Sequence, residues 1–338
     1  MKCSCTDIPS ELEVRGMGYV YRNDISDIGA EKSTDTVQMP PHSFSASSRS
    51  ASEQARAPNG LMFHFPTKHS KVNILTTQNV SPLRYPGGKT RACKILHEIL
   101  QTYFDITKFD MIVSPFFGGG SFEFYLQNKY HVPLIVNDKF TPLYHFWKQV
   151  KTNKTVLCKE LRKITEVTKE QFSNYRNTIM TLHDDMLQQS IQYFVVNRCS
   201  FSGSTLSGGF SEEASRKRFT LSSIHRIESL DFSNIEIYNE DFCDFLPKFT
   251  SDKVFLFVDP PYYLEKKSKL YGNNGDMHEG FDHHKLFEII QTKKNWMITY
   301  NNCEYIRNLY KDYTILDVNW SYGMNTSKTS SEIVIISC

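Results

Sequence analysis

The stretch Met111-Ile112-Val113-Ser114-Pro115-Phe116-Phe117-Gly118-Gly119-Gly120-Ser121 decides how the rest of the chain is read. Its first four residues make a short run closed by a proline, as a strand covered on both faces of a parallel sheet does. Three glycines follow, and a helical pattern opens after them. Glycine lets the backbone turn tightly and pass close to a ligand. Nineteen residues beyond Gly119, just past the apolar run Leu134–Asn137, stands Asp138. An acidic side chain there can accept hydrogen bonds from both hydroxyls of a ribose.

The same residues read either as a plain strand–helix turn or as a nucleoside cradle at the carboxyl edge of an α/β sheet. The glycine spacing is not GxGxxG and no second phosphate cradle is visible. A nucleoside without a pyrophosphate, such as S-adenosylmethionine, therefore fits better than NAD.

Outward from this point the chain alternates strands and helices. Further strand-like runs are Ile235–Tyr238, Val254–Val258, Trp296–Tyr300, Thr314–Val318 and Glu332–Ile336, seven in all. Helical patterns lie between most of them, for example Cys93–Tyr103 and His284–Thr292, while only a polar loop separates the last two, which suits an antiparallel hairpin. The fold class expected is α/β, a seven-stranded, Rossmann-like doubly wound sheet.

Nearly a hundred residues separate the second and third strands, too many for a crossover. Within them Phe172, Tyr175, Ile179, Leu182 and Met186 recur at helical spacing, with Thr168 and Gln171 as a capping box at the start. A Gly/Ser-rich stretch from Asn197 to Phe210 follows and reads as an exposed loop or hairpin. Residues 141–232 are thus expected to form an inserted, mainly helical domain. Residues 71–140 and 233–338 make the sheet domain, and 1–70 a disordered extension. Ten serines in residues 1–60 support the last expectation, and translation beginning at Met62 is an alternative.

Asp259-Pro260-Pro261-Tyr262 comes directly after the strand Val254–Val258. Two prolines stiffen the turn and remove backbone donors, leaving carbonyls and a carboxylate as acceptors. With a tyrosine ring to stack on it, an aromatic amine would find partners for both N–H bonds. Arg84-Tyr85-Pro86-Gly87-Gly88-Lys89-Thr90 invites a phosphate-loop reading, which fails because Leu83 stands where glycine is required. His278-Glu279 with His283 is one residue too long for HExxH. Asp241-Phe242, after the third strand, reads as a turn or as a frame for a stacked base.

Composition sets outer bounds. With 39 Lys+Arg against 37 Asp+Glu, net charge neither demands nor excludes nucleic acid. The positive excess falls in residues 151–230, which carry 12 basic and 8 acidic side chains. No run approaches the ~18 apolar residues of a membrane span, and the N-terminus lacks a signal-peptide pattern. Eight scattered cysteines without a CxxC pair predict reduced intracellular thiols and no metal site.

Taken in order, Arg84 to Lys89, Pro115 to Gly120, Asn137-Asp138, an insert, Asp241-Phe242 and Asp259 to Tyr262 resemble the Dam-like, alpha-group N6-adenine-specific DNA methyltransferases. Ser330-Ser331-Glu332 opening a late strand is similar to that family too, so the resemblance runs from about residue 80 to the end. It implies S-adenosyl-L-methionine as methyl donor, with Tyr85 and Lys89 lining its pocket and Phe117, Gly118 and Gly119 around the methionine part. Asp138 would take the ribose, and Asp241 with Phe242 the cofactor adenine. Asp259, Pro260 and Tyr262 would hold the target adenine, flipped from the duplex, with Asp259 also at the cofactor. The insert becomes a target recognition domain, with Asn197, Arg198, Phe201, Ser202 and Gly203 contacting double-stranded DNA.

The resemblance further implies a monomer and no metal, with two roles open: an orphan enzyme, or one paired with a cognate restriction endonuclease acting on the same site. One departure is Ser114, where the family usually carries an acid. The rivals are methylation of another amine, such as cytosine N4 or an RNA or protein amine, and DNA binding without catalysis. A NAD-type dehydrogenase lacks its pyrophosphate fingerprint here.

Overall fold

The computed structural model describes residues 55–56, 62–63, 78–263, 280–321 and 329–337. The 1–70 extension and the His278-Glu279 pair lie outside these, apart from a two-residue antiparallel pairing of Ala55–Arg56 with Met62–Phe63.

Seven strands form one sheet: β1 (Met111–Ser114), β2 (Leu134–Asn137), β3 (Ile235–Tyr238), β4 (Val254–Val258), β5 (Trp296–Asn301), β6 (Thr314–Ser321) and β7 (Thr329–Ile336). Their order is β3-β2-β1-β4-β5-β7-β6. The first five are mutually parallel, and β7 runs antiparallel between β5 and β6. This is the seven-stranded, Rossmann-like doubly wound sheet expected from the sequence, with the expected closing hairpin. The hairpin strands are longer than their apolar cores suggest, because main-chain pairing continues through Asn319 opposite Ser331. Central strands β1, β2 and β4 are buried throughout, whereas the edge strand β3 alternates buried and half-buried residues.

The two-residue period of a strand sorts side chains onto two cores. Ile112, Leu134, Val136, Phe255, Phe257 and Met297 point to one face, covered by α1 (Cys93–Tyr103), α2 (Ser121–Tyr130) and α3 (Thr141–Thr152). Met111, Val113, Ile135, Leu256, Val258 and Ile298 point to the other, against the short helix Phe242–Phe245 and the helix His283–Ile290.

Between β2 and β3 the chain is helical: α3, α4 (Lys154–Lys163), α5 (Lys169–Thr178), α6 (Met186–Cys199), α7 (Glu212–Arg218) and α8 (Leu221–Ser229). Their apolar side chains join the first core without a break. Phe146 of α3 stacks on Phe194 of α6 with centroids 5.6 Å apart.

The single helix expected from Phe172 to Met186 is two. The first ends at Thr178 and passes through a 3₁₀ turn at Ile179–Thr181. Asp185 then caps a new helix by accepting from the Gln188 N–H, so a capping residue wins over the helical periodicity. At the start of α5, Thr168 accepts from the Gln171 N–H as a cap should. The Gln171 side chain donates to the Tyr175 hydroxyl, so half of the expected box forms.

Candidate active site

The carboxyl ends of β1, β2, β3, β4 and β5 open onto one cavity of about 610 Å³, within the range of small-molecule sites. It lies where the chain, having gone β1 to β2 to β3 on one side, resumes with β4 on the other, the place at which open α/β sheets bind ligands.

The glycine turn after β1 is held from three sides. Gly118 has a φ of +50°, and a Cβ there would stand 2.7 Å from a ring carbon of Tyr85, so the tyrosine requires glycine beneath it. Trp147 of α3 donates its indole N–H to the Gly118 carbonyl at 3.0 Å. Asp138 accepts from the Gly118 N–H and the Phe140 N–H, each at 2.9 Å. Burial pushes the Asp138 carboxyl up to about 6, against those two N–H donors. Phe117 lines the cavity while its ring packs into the core against Phe124 and Trp147.

Asn137, buried beside Asp138, donates to the carbonyls of Pro115 and Glu240 at 3.0 Å and accepts from the Glu240 N–H at 2.9 Å. It ties together the loops after β1, β2 and β3. Asp241 caps the short helix through the Cys243 N–H and pairs with Lys139 at 2.7 Å. Burial raises the Asp241 carboxyl, yet the Lys139 ammonium and the Cys243 N–H hold it below its ordinary value. Phe242 packs between Phe116 and Phe281 and lines the cavity.

Asp259, at the end of β4, is 22% exposed. Lys89 places its ammonium 2.8 Å from both carboxylate oxygens and from the Gly87 carbonyl. Thr299, fully buried in β5, donates to the same carboxylate. Pro260 is buried against the cavity, and Tyr262 half-buried beside it. The Tyr262 hydroxyl donates to Glu332 of β7, whose carboxylate is buried. Asn301 donates to the Tyr263 carbonyl at 2.8 Å, while its buried Oδ1 has no hydrogen-bond partner among the described residues.

Ser114 is buried at the end of β1. Its hydroxyl donates to Glu123 of α2 at 2.7 Å, so a buried carboxyl reaches the end of β1 from the next helix.

Two of the five expected DNA contacts are corrected. Asn197 and Arg198 are not in an exposed loop but in the buried last turn of α6. Asn197 accepts from the Arg84 N–H at 3.0 Å and donates to the Arg84 carbonyl at 2.7 Å. Arg198 donates to the Pro82 and Arg218 carbonyls; burial lowers its pKa to about 10, with Arg84 adding repulsion. Both residues fasten the loop before Lys89 to the insert. Beyond them, an isolated bridge between Ser200 and Phe210 closes the stretch. Phe201 is 68% exposed there, Ser202 lies in the same 3₁₀ turn, and Gly203, at φ +71°, sits where a Cβ would meet Arg84 at 2.7 Å.

Sheet order, a carboxylate at the end of β4 and a glycine turn at the end of β1 define a methyltransferase-type site. A family model for D12 class N6 adenine-specific DNA methyltransferases matches residues 85–324, and the chain belongs to that family. It is 25% identical over 198 residues to the type II methyltransferase M.MjaIII of Methanocaldococcus jannaschii, covering 53% of this chain and 68% of that protein. A crystal structure named as that of a methylase from Haemophilus influenzae overlaps 73% of this chain and 88% of its own, at 11% identity and a TM-score of 0.28. Among the described residues no helix is long and apolar enough to cross a membrane, and no three His, Cys, Asp or Glu side chains gather as a metal site.

Proposed function

We propose that the chain transfers a methyl group from S-adenosyl-L-methionine to the N6 amine of adenine at a specific site in double-stranded DNA, by base flipping. The observation that carries this reading is the Asp259–Tyr262 turn, opening with the glycine turn and Asp138 onto one cavity. The donor set suits the cofactor: carboxyls and aromatic rings face the cavity, as a cationic nucleoside requires. Tyr85, Gly118 and Gly119 would hold its amino-acid end and Asp138 its ribose, with Asp241 and Phe242 at its adenine.

When bound, the cofactor supplies a methyl group on a positively charged sulfur. Tyr262 stacks on the flipped base and offsets part of an unstacking cost of a few kcal/mol. Glu332 fixes the tilt of that ring through its hydroxyl. Asp259 and the Pro260 carbonyl accept the two amine hydrogens and aim the nitrogen lone pair. So aimed, the amine nitrogen would bond to the methyl carbon of a bound cofactor while the carbon–sulfur electron pair would leave on sulfur. The proton lost from nitrogen passes by way of Asp259 to solvent. The methyl donor is already cationic and would leave as a neutral thioether, so positioning and electrostatics suffice.

Residues 141–232 are proposed as the target recognition domain. Phe201 and the turn through Ser202 and Gly203 would face the duplex, and Asn197 and Arg198 would hold that turn from behind. Basic side chains of the insert would meet phosphates and give salt-dependent affinity. The enzyme would act as a monomer inside the cell, with a restriction endonuclease of the same site as a functional partner. Tritium transfer from labelled S-adenosylmethionine to DNA tests the reading: wild type incorporates label and Asp259→Ala does not. Equal incorporation by both would refute the role of Asp259.

A further inference from the structure

We propose that Glu123 is the acceptor for the ammonium group at the amino-acid end of the cofactor. This rests on the S-adenosylmethionine reading above and names a residue within it.

Among the described residues, seven acids line the cavity. Glu240 pairs with Lys248, and Asp282 caps the helix His283–Ile290 through the Lys285 N–H. Both oxygens of Asp138 accept backbone N–H groups. Asp241 is occupied by Lys139 and the Cys243 N–H. Asp259 holds Lys89 and Thr299, and Glu332 takes the Tyr262 hydroxyl. Glu332 and Glu123 are both buried, 2% and 3% exposed, and each accepts from a neutral hydroxyl; Glu332 does so beside the Tyr262 ring, whereas Glu123 accepts from Ser114 at the end of β1, next to the glycine turn. It stands in the first turn of the helix that opens from the glycine turn, so it shares a wall of the cavity with Gly118 and Gly119.

A carboxyl in that setting costs stability when ionised unless a cation arrives. The groups acting on it come from three elements. Ser114 lies on β1. Lys89 and Cys93 lie before and at the start of α1, with Lys89 committed to Asp259 and the Cys93 thiol pushed up to about 12 by burial. Asp259, after β4, is a like charge. Burial foremost, with Asp259 adding to it and the Ser114 hydroxyl, the backbone N–H of Glu123 itself and Lys89 opposing, pushes Glu123 up to about 8. An ammonium ion brought against it reverses that balance, and the acid ionises as the ligand binds. Ser114, too short to reach the ligand with a charge of its own, aims the longer acid.

Calorimetric titration tests this with two probes. S-adenosylhomocysteine carries the amino-acid end, and 5′-methylthioadenosine lacks it. Glu123→Gln should weaken S-adenosylhomocysteine about 10–100-fold, the worth of one charge-assisted hydrogen bond, and change 5′-methylthioadenosine less than about twofold. Runs in buffers of different ionisation enthalpy at neutral pH should show a proton released when wild type binds S-adenosylhomocysteine, and none with 5′-methylthioadenosine or with the variant. Equal weakening of both probes would mean a structural role and overturn the proposal, as would unchanged binding of S-adenosylhomocysteine. Should Glu123→Gln not fold, the wild-type proton counts decide, and equal release with both probes overturns it. Wild type that binds neither probe refutes the cofactor reading itself, and this inference with it.

Discussion

The Lys89 ammonium stands 2.8 Å from both oxygens of Asp259 and 5.0 Å from the centre of the Tyr262 ring. The cation therefore spans the carboxylate proposed to grip the amine and the ring proposed to stack on the base. An incoming amine must share the acceptors that Lys89 uses. Removing one partner of a buried pair costs about 3–5 kcal/mol. Because Asp259 is 22% exposed, Lys89→Met should cost at most about 3 kcal/mol. Thermal melts should show that loss, and the double variant Lys89→Met with Asp259→Asn should recover most of it.

Stacking and hydroxyl anchoring at Tyr262 separate by substitution. Tyr262→Ala removes the ring and should weaken binding of target DNA by about 1–3 kcal/mol. Tyr262→Phe keeps the ring and should bind DNA within a few-fold of wild type. Its kcat should fall, since the ring is no longer tied to Glu332. Equilibrium binding and single-turnover rates on one duplex distinguish the two.

The insert offers a contrast between clamp and contact. Asn197→Ala removes the two hydrogen bonds that Asn197 makes with the Arg84 N–H and carbonyl and should cost about 1–3 kcal/mol of stability. Phe201→Ala touches a ring that is 68% exposed, so the melting temperature should hold while DNA affinity falls. Differential scanning calorimetry beside fluorescence anisotropy checks both.

Two buried acids set a pH dependence. Folding raises Asp138 to about 6 and Glu123 to about 8. Between its unfolded and folded pKa such a group binds more protons folded than unfolded, so stability falls as pH rises. The ligand-free protein should lose stability from about pH 4 to pH 8, the upper part of that loss belonging to Glu123. In Glu123→Gln the melting temperature should be flatter between pH 6 and 8.

The sheet was legible because central strands covered on both faces read as apolar runs bounded by turn residues; Met111–Ser114, Leu134–Asn137 and Val254–Val258 end where those runs end. The hairpin ends were not, since Asn319 and Ser331 pair through backbone, which carries no side-chain signature. The proposed ligand-facing residues gathered at one cavity. The residues that hold them were missed, although Thr299 and Glu123 each interrupt an apolar run, Trp-Met-Ile before Thr299 and Phe122 and Phe124 around Glu123. A polar residue in such a place has to find a partner. Asn197 and Arg198 misled because their type suits DNA contact, while their burial depends on a loop 113 residues earlier in the chain.

Chromatography and mass spectrometry of nucleosides from DNA incubated with the protein and S-adenosylmethionine identify the methylated base. Wild type should yield N6-methyldeoxyadenosine and Asp259→Ala none. N4-methyldeoxycytidine as the product, or equal N6-methyldeoxyadenosine from both proteins, would rule out adenine methylation through Asp259.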